Sequence, residues 1–204
     1  MSRMKYNFLL ETYETEILKT LSVWSMFDDA DLPLRPHTRD VRGRSVHEQM
    51  VHQCLSEDIW FRTMFGVDLK KTPLPEAETR LGFILKYAGD AHQRMDILKQ
   101  KKESWWEEIA DFFEVKKSRT WIFTRRLTHS AHHRGQLVAM LRMLNKDVYS
   151  TYGPTSDTGG LMQHRAPTIY AYPDLATLIK SEKSGGSKSE LPGTSGKPTT
   201  ERPD

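Results

Sequence analysis

His129 and His133 stand four residues apart in the run Leu127 to Asn145. On a helix that spacing puts one imidazole a turn above the other on the same face. Two neutral imidazoles so placed reach a common point beside the helix and chelate one divalent cation. Their stripe continues into Met140 and Leu144, so the face is expected to point inward. The same spacing also arises from two partly exposed histidines with no ligand role, and spacing alone leaves both readings open. No glutamate follows His129, which separates the pair from the HExxH zinc-protease arrangement with its built-in general base. His132 faces about 100° away around the helix and reads as a residue behind the ligands or at the rim of a site.

A third ligand has to come from elsewhere in the chain. His52 shares a helical face with Leu55 and Ile59, which predicts that it points toward the core. A core histidine satisfied by one hydrogen bond is the alternative. His47, a turn earlier on the same segment, competes for the role and ranks second. Cys54 points to a different face from His52 and is expected to be packed rather than a ligand. His37, His92 and His164 lie apart and are expected at the surface, His164 in a loop able to fold over one end of the molecule. Glu57 is the nearest carboxylate to His52 in sequence. Five residues along a helix turn it about 140° away, so a solvated or capping ion pair is the plainer reading than a general base.

These residues need helices to position them. Phe8, Leu9, Tyr13, Ile17, Leu21 and Trp24 recur at helical spacing and predict a first helix from about Tyr6 to Phe27. Asp28 to Arg44 carries prolines and arginines without an apolar period and reads as a long connection crossing the end of a bundle. Ser45 with Glu48 forms a capping box, so a second helix is expected to about Phe65. Glu76 and Glu78 are expected to open a third, running to roughly Lys101. Ser104 with Glu107 repeats the capping pattern and predicts a short extra helix from Trp105 to Phe113, its aromatics plugging one end of the core. A fourth long helix follows from Lys117 to Leu144. Tyr149 to Ala166 reads as an ordered loop, and Pro173 to Lys180 as one or two helical turns. No convincing alternating strand is seen, and the fold class expected is all-α, a four-helix bundle with a long crossover. One domain over residues 1–180 is expected. From Ser181 onward the only apolar residue is Leu191, and residues 181–204 are expected to be a disordered tail.

Composition narrows the partners. Only 37% of the 204 residues are hydrophobic, and 30 basic against 27 acidic residues leave a balance of +3. That is too slight to argue for nucleic acid or an anionic membrane surface. Arg35, Arg39, Arg42 and Arg44 in the first connection are interrupted by Asp31 and Asp40, so a solvated loop is expected there. One cysteine excludes an internal disulfide and suits a reducing cytoplasm. No signal peptide is expected, and no apolar run approaches the ~20 residues that span a bilayer.

The strings LTHSAHHRGQLVAMLRMLN around His129 and VHQCLSEDIW around His52 resemble the DinB/YfiT-like family of bacterial metal-binding four-helix bundles. The resemblance runs from about Tyr6 to Gly153. It implies that His52, His129 and His133 form a triad on one divalent ion, usually zinc or nickel, and that the protein is a homodimer. Arg134, Gly135 and Gln136 fill the family's RGQ positions. They read as an ion-pairing or polar arginine, a glycine permitting close helix approach, and a glutamine supporting a ligand from behind. Three neutral imidazoles leave at least one coordination position open, the ligand count of a catalytic zinc site. The function expected is a metal-dependent enzyme acting on a small molecule, a hydrolase or an S-transferase using a small-thiol cosubstrate. The alternative is a non-catalytic metal-binding stress-response dimer.

Overall fold

The computed structural model describes residues 5–200, and the last four residues of the expected tail lie outside them. Four long helices carry the fold: α1 (Asn7–Trp24), α2 (Val46–Met64), α3 (Arg80–Lys99) and α5 (Arg119–Met143). Between α3 and α5 lie a short helix α4 (Glu103–Glu107) and a hairpin, β1 (Ile109–Phe112) and β2 (Val115–Ser118). A last helix, α6 (Leu175–Lys183), follows the long loop after α5. Among the described residues no helix is long and apolar enough to cross a membrane.

In the bundle α1 packs against α3 and α5, and α2 packs against the same two helices from the opposite corner. The helices therefore form a ring in which α1 and α2 are diagonal. This is why the connection from Ser25 to Ser45 has to be long. Its end is pinned where Ser45 Oγ accepts the Glu48 amide at 3.1 Å and Glu48 Oε2 accepts the Ser45 amide at 2.8 Å. The expected capping box is present, and it sets the phase of α2 and hence of His52. Trp24, Phe61, Phe83 and Phe123 are fully buried in the core, and Trp106 of α4 closes one end of it against Tyr6 and Phe123.

Three boundaries differ from expectation. Helix α3 begins at Arg80, because the Thr79 hydroxyl caps the Gly82 amide at 3.0 Å. Glu76 and Glu78 stay in the preceding loop, where Glu78 meets the His47 ring at 2.5 Å. The short helix after Lys102 stops at Glu107, and the residues expected to continue it pair as an antiparallel hairpin, Ile109 opposite Ser118 and Phe112 opposite Val115. Aromatic and β-branched residues in so short an apolar run suit a strand as well as a helix, and Phe113 at the turn takes a φ of 53°, which no helix allows. Helix α5 then starts two residues later than expected, capped by Ser118.

The packed part also extends past residue 180. Asp174 caps α6 through the Thr177 amide at 2.7 Å, and Leu178 is fully buried. Glu182 is buried among Arg80, Tyr172 and Lys188. Beyond Lys183 the chain forms neither helix nor strand to residue 200.

Candidate metal centre

Helices α2 and α5 are neighbours in the ring, and the seam between them brings His52 against the His129–His133 pair. His52 Nε2 lies 3.0 Å from His133 Nε2, which lies 3.2 Å from His129 Nε2. All three donor atoms fall within 4.8 Å of one another. Zinc–nitrogen bonds of about 2.0–2.1 Å in a tetrahedron set neighbouring nitrogens roughly 3.3 Å apart. The imidazole set and its spacing therefore fit a divalent ion of that size.

Each ring is held differently. The Nδ1 of His133 lies 3.0 Å from both Gln49 Oε1 and Gln136 Oε1. Both are acceptors, so Nδ1 carries the ring proton and Nε2 presents its lone pair. Gln49 in turn donates to Gln136 Oε1 at 2.9 Å, locking the two amides together. His129 is turned by Arg126, whose guanidinium donates to His129 Nδ1 at 2.8 Å. An arginine can only donate, so the proton of the neutral His129 ring lies on Nε2, toward His133; ligation of an ion through Nε2 would require that proton to move to Nδ1, with the Arg126 contact giving way.

Burial depresses all three basicities. His52 is lowered by desolvation, then by the positive charges of Arg44 and Arg126. Desolvation, Arg126 and the neighbouring rings bring His129 down to about 3. His133 falls to about 4 through desolvation and His52, opposed by its bond to Gln136. At neutral pH the three rings are uncharged, the form that binds metal.

His52 sits on the seam rather than in the core. Ile59, on its predicted face, is 45% exposed, and the buried stripe of α2 runs through Met50, Gln53, Cys54, Glu57 and Phe61. A cleft of about 610 Å³ opens beside the triad, lined by His52, Ser56, Trp60, Phe112, Phe113, Arg125, Thr128, His129 and His132. His132 is thus at the rim, and its ring accepts from the Gln136 amide at 3.2 Å.

Other expected residues lie away from the triad. Glu57 is fully buried, not solvated: it accepts from Tyr13 at 2.6 Å and Tyr87 at 2.5 Å and pairs with Arg126 at 2.8 Å and Arg94 at 3.3 Å. It supports the site only through Arg126. Arg134 is buried on the far side of α5, paired with Glu16 at 2.5 Å. Gly135 is exposed, and a Cβ added to it would meet nothing within 4 Å, so no close helix approach depends on it. His47 is occupied by Glu78, Cys54 is buried, and His164 lies against the Leu161 amide in its own loop. Sequence reasoning did not single out Gln49, Arg126, Arg125 or the aromatic wall. Arg126 precedes His129, the ring it contacts, by three residues, a helical spacing that was there to be read, whereas Gln49 reaches His133 across the helix seam and no local spacing signals it.

The sequence profile of the DinB family matches residues 1–162. Among solved structures the fold is similar to a DinB-like protein from Bacillus cereus, at a TM-score of 0.63 and 15% identity, covering 72% of this chain and 97% of that one. It is also similar to the DinB-like protein YjoA from Bacillus subtilis, at a TM-score of 0.55 and 15% identity, covering 68% of this chain and 92% of that one. No curated protein matches the chain.

Proposed function

Because this chain belongs to the DinB family, we propose that it is a metal-dependent enzyme in which His52, His129 and His133 hold one divalent ion, zinc or nickel. The reaction class is hydrolysis of a small molecule or S-transfer from a small-thiol cosubstrate. One observation carries the reading: three imidazole donors from two helices converge at metal-binding spacing, and two of them, His52 and His129, line an accessible cleft with the third buried behind them. A purely structural site closes its coordination with protein ligands, whereas three histidines leave room for a substrate.

When bound, such an ion lowers the pKa of water toward ~7 or stabilises a thiol as thiolate. The protein's own part is orientation. Gln49 and Gln136 hold His133 with its Nε2 toward those of His52 and His129, and Arg126, anchored by Glu57, fixes the plane of His129. Trp60 covers the His129 ring at 5.6 Å between centroids and limits water on that side. Glu57 is committed to two phenols and two guanidiniums, so it is not the general base. A homodimeric cytoplasmic protein acting on a small molecule is the assembly and setting of this proposal.

Metal analysis of the purified protein and of His52→Ala, His129→Ala and His133→Ala tests it. The wild type is expected to hold one ion per chain, each of these variants to lose it, and His132→Ala to keep it. Stoichiometric metal in His52→Ala would overturn the triad. A protein that holds its ion yet is silent in thiol-transfer and hydrolysis screens, and never exchanges its open position, would instead be the non-catalytic stress-response binder.

A further inference from the structure

The cleft beside the histidines has a chemistry of its own. Of its nine lining residues none is acidic, and its one permanent charge is Arg125. Among the described residues Arg125 makes no ion pair through its side chain, whereas Arg126, Arg94, Arg134 and Arg119 are all paired. On the two helices Glu57 is committed as described and Asp58 pairs with Arg94 at 3.3 Å; on the hairpin Asp111 and Glu114 flank Phe112 and Phe113 without lining the cleft, Asp111 facing Lys116 at 3.7 Å. Arg44 and Arg126 add positive charge around His52. A site of this sign concentrates anions, and a planar guanidinium matches a carboxylate by a two-pronged hydrogen bond.

The remaining wall is aromatic. Trp60 stands edge-on to Phe112 at 5.3 Å and to Phe113 at 6.2 Å, and the two phenylalanines meet at 4.8 Å. Phe113 is 71% exposed and sits at a φ of 53°. A bulky residue in the left-handed region costs about 1–2 kcal/mol, and an exposed phenyl ring gains little from burial. The positive φ goes with the two-residue hairpin turn between Phe112 and Val115, where glycine or asparagine is the usual choice, so the turn accounts for the backbone but not for a phenyl ring at this position. A phenyl ring that is largely exposed yet lines the cleft beside Phe112 and Trp60 is placed to close over a flat ligand.

We infer that the cleft selects a small organic carboxylate on an aromatic or otherwise flat unsaturated body, with Arg125 engaging the carboxylate and Trp60, Phe112 and Phe113 sandwiching the body. The inference rests on the metal-site reading only for the identity of the neighbouring group. The wall itself stands without an ion.

Binding of 3-phenylpropionate, 3-phenylpropanamide and butyrate to the full chain, followed by tryptophan fluorescence and calorimetry with and without zinc, tests the assignment. The expected result is at least tenfold tighter binding of 3-phenylpropionate than of either comparison compound. Arg125→Gln is expected to abolish the preference over the amide, and Phe113→Ala to shrink the preference over butyrate several-fold. Both variants are expected to keep the wild-type metal content. Equal binding of acid and amide would overturn the inference. So would a preference that survives Arg125→Gln but vanishes on zinc removal, since the ion would then be reading the charge. A preference that persists in metal-free wild type and is lost in Arg125→Gln upholds the inference even if the metal triad fails.

Discussion

His133 shows how much of a metal site is decided one atom behind the ligand. Its Nδ1 proton is shared by two glutamine oxygens at 3.0 Å, one from each helix, so the ring is held in one tautomer and one plane. Losing such a support typically lowers metal affinity 10–100-fold. Gln49→Leu, which keeps the volume and removes the acceptor, is therefore expected to weaken zinc binding by about that factor in a competition titration with a chelator. An unchanged affinity would show that Gln136 alone suffices. His129 is governed by the opposite chemistry, a guanidinium donor, so the two histidines of one helix are not equivalent ligands.

At the scale of elements, the hairpin between α4 and α5 carries the most specific information. It delivers Phe112 and Phe113 to the cleft by way of a turn whose first residue has a φ of 53°. A glycine there relieves the strain, and because Phe113 is largely exposed the packing lost is limited to its ring contacts with Phe112 and Trp60. Phe113→Gly is expected to stabilise the protein by about 1 kcal/mol, a rise in Tm of roughly 2–4 °C for a chain of this size. The same variant is expected to bind 3-phenylpropionate less tightly. A lower Tm would mean that the ring is a packing residue after all. The sequence pattern did not expose this element, because four-residue strands of mixed burial carry too few alternations to compete with a helical reading.

For the whole molecule the joining group is Glu57. It lies on α2 and receives Tyr13 from α1, Tyr87 and Arg94 from α3, and Arg126 from α5, so all four long helices meet at one carboxylate. Burial alone would raise its pKa, but Arg126, Arg94 and the two phenols outweigh that and hold it below the ordinary 4.5. Because the folded value is the lower one, the unfolded chain takes up the proton first as pH falls. The contribution is thus complete above about 4.5 and is lost as pH drops through the folded value. Removing the charge strands two buried guanidiniums, at a cost of about 3–5 kcal/mol. Glu57→Gln is expected to be less stable by that amount in urea unfolding at pH 7, with the gap to wild type closing below pH 4.5. A gap independent of pH would show that the loss is one of shape rather than charge.

The sequence alone determined the long amphipathic helices, the capping box at Ser45, the crossover and the His129–His133 pair. These are local properties, written in periodicity and in residues a turn apart. It could not determine from spacing that His52 completes the cluster, that Glu57 is a buried hub, or that Arg134 turns its back on the site. Each of those depends on which helices are neighbours and how they are rotated. The same holds for the cleft, whose walls come from α2, the hairpin and α5, segments far apart in the chain. Only packing brings the three imidazoles to metal-binding spacing, because the third donor sits more than seventy residues from the other two and no periodicity reaches that far.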